Sequence, residues 1–226
     1  MRGGVLADLP FPPGCVSCGA PGFPWCPGCE RRVEVLLPPG CRRCGRPALR
    51  DLARCADCPA PEIASLRAPF RFEGPVRDAL LKLKFTGMRS VGAALGRAMA
   101  EVWDGPALPL TWVPLSRRRL ARRGYDQAEA LARAAAEGLG VAVGARLQRT
   151  VDLPSMARRG RRDRLGALRG AFRAVGPVPP SVVLVDDVVT TGSTVTECAR
   201  VLRAAGAREV HVLAAARALS GPLPNR

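Results

Sequence analysis

The stretch Val182-Val183-Leu184-Val185-Asp186-Asp187-Val188-Val189-Thr190-Thr191-Gly192-Ser193-Thr194 constrains this chain more than any other. Its apolar run reads as a buried strand. Asp186 and Asp187 stand at the C-terminal end of that run, the end at which open α/β sheets bind ligands. A small, hydroxyl-rich loop follows, and then a helix from Ser193. Backbone N–H groups and hydroxyls of Thr190, Thr191, Gly192, Ser193 and Thr194 can surround a phosphate, and the helix dipole adds to the attraction. Two adjacent carboxylates serve no purpose for a phosphate alone. They suit the vicinal hydroxyls of a ribose, directly or through Mg²⁺. Phosphate and diol together describe a ribose 5-phosphate. The plain alternative is a strand–turn–helix crossover with an acidic turn.

The surrounding chain supplies a sheet for this motif. Ile63–Phe72 reads as a strand, and Val76, Ala79, Leu80 and Leu83 form a helical stripe opened by Pro75 and closed at Gly87. A second helix is expected over Ser90–Trp103, a strand over Leu110–Leu115, and a basic loop over Arg117–Gly124. Asp126–Leu139 reads as a helix stopped by Gly140, and Arg146–Arg149 as a short strand. Residues 150–170 lack periodicity and read as a mobile loop. A helix over Ser193–Ala205 and a strand over Val210–Ala215 complete the alternation. This order implies α/β architecture: a mostly parallel sheet with helices on both faces.

Residues 14–61 differ in texture, being dominated by cysteine and proline, so a boundary is placed at 62: a Cys-rich module over 1–62 and an α/β domain over 63–226. The pairs Cys15/Cys18, Cys26/Cys29, Cys41/Cys44 and Cys55/Cys58 each place two thiolates three residues apart, the knuckle from which tetrahedral sulfur sites are built. Eight ligands suffice for two zinc ions. Sequential pairing, the first two pairs on one ion and the last two on another, is favoured over an interleaved arrangement or a single occupied site. The metal's role is structural, because a segment with so few apolar residues would not fold without it. Such cysteine usage suits a reducing, cytoplasmic setting rather than a disulfide framework. The ninth cysteine, Cys198, reads as a small buried apolar residue.

The net charge of +16 rests on 33 arginines and two lysines. Arginine, alanine, glycine and proline rise together, a mix that a GC-rich genome yields with no function attached, so placement counts for more than the total. Residues 1–62 are nearly balanced, at +2, and the remainder carries +14. Anion binding therefore belongs to the second part. One arginine cluster is Arg117, Arg118, Arg119, Arg122 and Arg123; the other runs from Arg158 to Arg173 and includes Arg161 and Arg164. Arginine forks suit pyrophosphate, but the surplus suits a nucleic-acid backbone. Aromatics for base stacking are scarce, with Tyr125 beside the first cluster and Trp103 and Trp112 expected in the core. The lone His211 reads as a core or edge residue of a strand. No apolar run is long enough for a membrane span.

The motif at 182–194 resembles the signature of type I phosphoribosyltransferases for 5-phosphoribosyl 1-pyrophosphate (PRPP). The layout as a whole, over about residues 15–215, resembles the ComF family, which joins a Cys-rich zinc module to a phosphoribosyltransferase-like domain. Leu83-Lys84-Phe85-Thr86-Gly87 resembles its Lys-x-x-Gly stretch. Val113-Pro114-Leu115 with Arg123-Gly124-Tyr125-Asp126-Gln127-Ala128 resembles its Val-Pro…Arg-Gly-(aromatic)-Asn-Gln-Ala stretch, and Gly170-Ala171-Phe172 its Gly-Ala-Phe. Asp126 departs from the usual Asn, and Met156 and Ala167 align with a usual Gln and Asn.

The resemblance implies a 5′-phosphate on Thr190–Thr194, ribose hydroxyls on Asp186 and Asp187, Mg²⁺ with PRPP, pyrophosphate on the arginines that include Arg117 and Arg119, and an arginine-rich lid over residues 158–173. Lys84, Arg118, Arg122, Arg123, Arg161 and Arg164 join as candidate contacts to pyrophosphate or nucleic acid. It also implies a role in natural transformation, with single-stranded DNA and other competence proteins as partners. Three readings stay open: a phosphoribosyltransferase, a nucleic-acid-handling protein that keeps the phosphate cradle, and a non-catalytic PRPP sensor or adaptor that docks a partner through the zinc module.

Overall fold

The computed structural model describes residues 14–151, 168–221 and 223. Its core is a parallel sheet. Strands β1 (Leu66–Arg67) and β2 (Phe70–Arg71) share one edge and β3 (Leu110–Trp112) forms the other. Between them run β6 (Ser181–Val189) and β7 (Glu209–Arg217), in the order β1-β7-β6-β3 with β2 also on β7. Every pairing in this sheet is parallel. An antiparallel pair, β4 (Leu147–Arg149) with β5 (Phe172–Ala174), lies apart from it.

Side chains of β6 alternate between two apolar layers, as the pleat requires. Val182 and Leu184 pack with Cys198, Ala199 and Leu202 of helix α6 (Ser193–Ala204). Val183 and Val185 pack with α2 (Gly74–Thr86), α3 (Arg89–Glu101) and α5 (Gln127–Leu139), through Leu83, Leu95 and Leu131. The expected parallel sheet with helices on both faces is therefore present. Cys198 is fully buried in the first layer, and burial pushes its thiol well up, in keeping with an apolar filler. Trp112 is buried and Trp103 half-buried, both against the second layer. No helix among the described residues is long and apolar enough to cross a membrane.

Two local expectations differ from the structure. Ile63–Phe72 is not one strand: β1 and β2 are separated at Ala68-Pro69. Pro69 has no N–H for the ladder, and its carbonyl instead accepts from Leu36 N–H at 2.7 Å. Arg117–Gly124 is not a loop but helix α4 (Arg117–Arg123). Ser116 caps it, its Oγ accepting from Arg119 N–H, and Gly124 ends it at φ 75°. Residues 152–167 lie outside the described residues, and with them Met156, Ala167 and, of the lid expected over residues 158–173, Arg158, Arg161 and Arg164.

The cysteine-rich segment, which includes the short helix α1 (Pro27–Glu30), packs at the β1/β2 edge. Val35 bridges Phe70 in antiparallel fashion. Val16, Phe23 and Trp25 join one apolar layer, whereas Leu36, Cys41 and Cys44 join the other. Ser17 Oγ donates to Asp78 Oδ2 at 2.5 Å, and Trp25 Nε1 to the Pro75 carbonyl at 3.1 Å, which ties the segment to α2.

Candidate functional site

The loop expected to hold a phosphate is built around Gly192, whose φ of 76° turns the chain from β6 into α6. Glycine takes that left-handed conformation without a Cβ penalty. The Gly192 carbonyl closes the first helical turn by accepting from Thr196 N–H at 2.9 Å. Thr191 Oγ1 lies 3.0 Å from Ser193 Oγ and accepts weakly from Ser193 N–H. A glycine N-cap offers no side-chain acceptor to the other first-turn amides, so they and the helix dipole can serve an anion. Thr190, Thr191, Gly192, Ser193 and Thr194, the residues expected to hold a phosphate, all lie at this turn.

Asp186 and Asp187 end the apolar part of β6 and leave it on opposite sides, as neighbours in a strand must. Asp187 Oδ2 faces α5 and accepts from Gln127 Nε2 at 3.5 Å; Gln127 Oε1 accepts from Arg123 Nη1 at 3.0 Å. Asp186 lies within electrostatic reach of Cys198 on the α6 side. Burial, and then the charge of Asp187, hold Asp186 well above the usual carboxylate range. Unpaired adjacent acids behave this way. Their oxygens are the hard donors that Mg²⁺ takes, and a cation or sugar hydroxyls would offset the cost of ionising them. The donor set therefore fits Mg²⁺.

Asp126 is a buried node. Its Oδ1 accepts from Ala128 N–H at 2.9 Å and Glu129 N–H at 3.3 Å, capping α5, and its Oδ2 accepts from Leu115 N–H at 2.7 Å. The cap places Gln127 at the first turn of α5, beside the strand ends. Gln127 was not among the candidate site residues. Its signal was the capping Asp126 directly before it.

The first arginine cluster separates. Arg117 lines a cleft of about 310 Å³ with Gln148, Arg149, Thr150 and Arg173. Arg122 and Arg123 line a different cavity of about 520 Å³ with Lys84, Phe85, Thr86, Gly87 and Tyr125. Burial pulls the Arg123 guanidinium down, Arg119 and Arg122 add to this, and Asp187 opposes it. Arg118 is exposed and lines neither space. His211 Nδ1 lies 2.8 Å from Ser65 Oγ, its ring edge-on to Trp103, and burial lowers its pKa, which is the behaviour of a structural residue.

A third space, about 130 Å³, separates the phosphate loop from the cysteine-rich segment: Thr190, Thr191 and Gly192 line one side, Arg46, Asp57 and Arg217 the other. Arg217, 6% exposed, ends β7 opposite Val189. Its Nη1 donates to the Cys44 carbonyl at 2.7 Å and its Nη2 to the Asp57 carbonyl at 2.8 Å. The next residue binds the end of β6, Ala218 N–H donating to the Val189 carbonyl at 2.9 Å. Arg46 pairs with Asp57 and donates to the Ser220 carbonyl at 3.1 Å. Nothing in the sequence marks Arg217 as such a link.

The cysteines fall into two groups, Cys15, Cys18, Cys26, Cys29 and Cys41, Cys44, Cys55, Cys58, with the sulfurs of each within 4.8 Å of one another. This is the sequential pairing. Sγ–Sγ separations of 3.6 Å (Cys18–Cys26), 3.5 Å (Cys41–Cys58) and 3.4 Å (Cys44–Cys55) suit a tetrahedral ion; Zn–S bonds of about 2.3 Å put the apices roughly 3.8 Å apart. Burial, then neighbouring sulfurs, push Cys29 and Cys55 up to about 12, whereas Cys15 is drawn down to about 6 and hydrogen bonds, first from the Cys29 backbone, lower Cys26, so the thiols of one group are split in acidity. Thiols so crowded ionise together only around a cation.

The Double zinc ribbon domain family matches residues 6–59, and the Phosphoribosyl transferase domain family matches residues 180–226. DNA utilization protein YhgH of Salmonella typhi is 36% identical over 179 residues, 74% of this chain and 77% of its own. Competence protein ComFC of Streptococcus pneumoniae is 30% identical over 158 residues, 68% of each chain. The glutamine PRPP amidotransferase of B. subtilis is similar over 56% of this chain and 26% of its own, at 28% identity and a TM-score of 0.42. With two four-cysteine groups beside a parallel sheet, matches to the zinc-ribbon and phosphoribosyl transferase domain families, and relatives at 30–36% identity over two thirds or more of the chain, the chain belongs to the ComF family.

Proposed function

We propose that this protein binds PRPP with Mg²⁺ at the end of β6 and acts in DNA uptake, handling single-stranded DNA in the cytoplasm. The observation that carries the ligand is the Gly192-opened N-terminus of α6 directly after the Asp186-Asp187 pair. In this reading the amides and hydroxyls of residues 190–194 hold the 5′-phosphate. Asp187, steadied by Gln127, and Asp186 address the ribose hydroxyls and the cation. Mg²⁺, when bound, would neutralise charge on the departing pyrophosphate. Arg117 and Arg119 of α4 would supply positive charge for the same group. Displacement at the anomeric carbon breaks its bond to pyrophosphate and forms one to an acceptor, through an oxocarbenium-like state that the held ribose positions.

The biological half of the reading is supported by the relatives' names, a DNA utilization protein and a competence protein, and by the +14 charge of residues 63–226. Titration calorimetry with PRPP and Mg²⁺ tests the ligand. Binding abolished by the double change Asp186→Asn, Asp187→Asn in a protein that still folds cooperatively is the expected result. No heat from the wild-type protein at high concentration sinks the proposal. A screen for pyrophosphate release across acceptor bases then separates a transferase from a sensor, which binds without release.

A further inference from the structure

Phe85 is exposed in an unusual setting. It stands in the last turn of α2, 65% exposed, one residue from the helix end at Thr86. Lys84 Nζ lies 5.8 Å from its ring centroid and the Arg123 guanidinium carbon 5.5 Å. The ring and both cations line the 520 Å³ cavity with Arg122, Thr86, Gly87 and Tyr125. The Tyr125 ring packs over Gly87, where an added Cβ would meet Cε1 at 3.7 Å. Two atoms of the lining side chains, Tyr125 Oη and Arg123 Nε, are buried and have no hydrogen-bond partner among the described residues. A space of this size is in the range of small-ligand sites. It combines an aromatic face, three cations and two unsatisfied donors.

We infer that this cavity is a base-stacking platform for single-stranded nucleic acid, with a base laid on Phe85 and the adjoining phosphates held by Lys84, Arg122 and Arg123. Sequence-tolerant single-strand binders join a π-face to a basic track, because every base can stack and every linkage is anionic. Tyr125 Oη and Arg123 Nε are donors without a partner and suit base carbonyl or ring-nitrogen acceptors. A free anion would use the cations and leave Phe85 idle. An apolar ligand would leave the three charges unpaired. Through Arg123 and Gln127 the platform stands two side chains from Asp187, so nucleic acid and sugar phosphate would meet at one end of the sheet. The inference rests on the DNA-handling half of the proposed function and is independent of the PRPP half.

The test uses full-length, zinc-loaded protein and fluorescence anisotropy with two labelled probes: a single-stranded oligonucleotide and an abasic strand of the same length. Phe85→Ala, a change at an exposed position, is expected to weaken the base-bearing strand about tenfold, the effect of losing one stacked base. It leaves the abasic strand and the salt slope unchanged. Arg122→Ala is expected to weaken both strands alike and lower the salt slope by about one. Phe85→Trp is expected to restore affinity and to report base contact by a fluorescence quench beyond that of the wild-type protein, whose Trp25, Trp103 and Trp112 do not line the cavity. Equal binding of the base-bearing strand by wild type and Phe85→Ala overturns the platform, as does an equal loss on both strands. PRPP titration of Phe85→Ala separates the two readings. Normal PRPP heat with unchanged DNA binding defeats only the platform, and absent PRPP heat in wild type with a working platform defeats only the sugar-phosphate reading.

Discussion

Arg217→Met should loosen one zinc site and leave the other as it is. The side chain is 6% exposed, and its guanidinium spans the Cys44 and Asp57 carbonyls at 2.7 and 2.8 Å. Methionine fills much of the stem's volume and removes both bonds. Hydrogen bonds from charged donors contribute about 1.5–3 kcal/mol each, so the loss is about 3–6 kcal/mol before the released cost of burying the guanidinium is returned. A net penalty of about 3 kcal/mol on the closed state of the second zinc site corresponds to roughly a hundredfold in its opening equilibrium. Unfolding with bound metal is not two-state, so the assay is zinc release to a chromogenic chelator. Wild type should release two zinc ions per chain. In the variant, the ion on Cys41, Cys44, Cys55 and Cys58 should leave up to about a hundredfold faster, while the ion on Cys15, Cys18, Cys26 and Cys29, which Arg217 does not touch, keeps its rate. Hydrogen exchange should also rise at residues 189–192, because Ala218 binds the Val189 carbonyl directly after Arg217. Unchanged release of both ions, or equal acceleration of both, refutes the reasoning.

Three further outcomes follow from the same geometry. Asp126→Asn should destabilise the protein by about 1–2 kcal/mol, because one amide oxygen cannot serve both the α5 cap and Leu115 N–H and the amide nitrogen meets a donor; a urea midpoint equal to that of wild type contradicts this. Asp186 has a folded pKa raised by burial and then by Asp187. Its stabilising contribution is therefore fully present below the unfolded value of about 3.9 and is lost as pH rises through the folded value. The melting-temperature difference between wild type and Asp186→Asn should shift against wild type over that rise, and a pH-independent difference rules the shift out. Gly192→Ala should cost about 1–2 kcal/mol from its φ of 76°, with no steric clash because nothing lies within 4 Å of the added Cβ; an unchanged melting temperature would show that the loop relaxes.

Much of this molecule is written locally. The knuckle spacing of Cys15/Cys18, Cys26/Cys29, Cys41/Cys44 and Cys55/Cys58 dictates chelation at short range, so the metal sites could be read before any fold was known. The same holds for β6, the turn at Gly192 and the start of α6, since an apolar run, a glycine and a helix cap act over a few residues. Two local signals run against the simple pattern: Ser116 and Gly124 bracket a helix rather than a basic loop, and Pro69 interrupts an apolar run that otherwise reads as one strand. The remainder was decided by packing between segments far apart in the chain. The Arg217–Cys44 bond joins residues 173 positions apart. The direction of Asp187 toward Gln127 depends on how α5 lies across the sheet, and the exposure of Phe85 depends on what covers the end of α2. Side-chain burial and pairing at such distances follow from how the sheet and its helices close around one core, and no window of sequence contains that information.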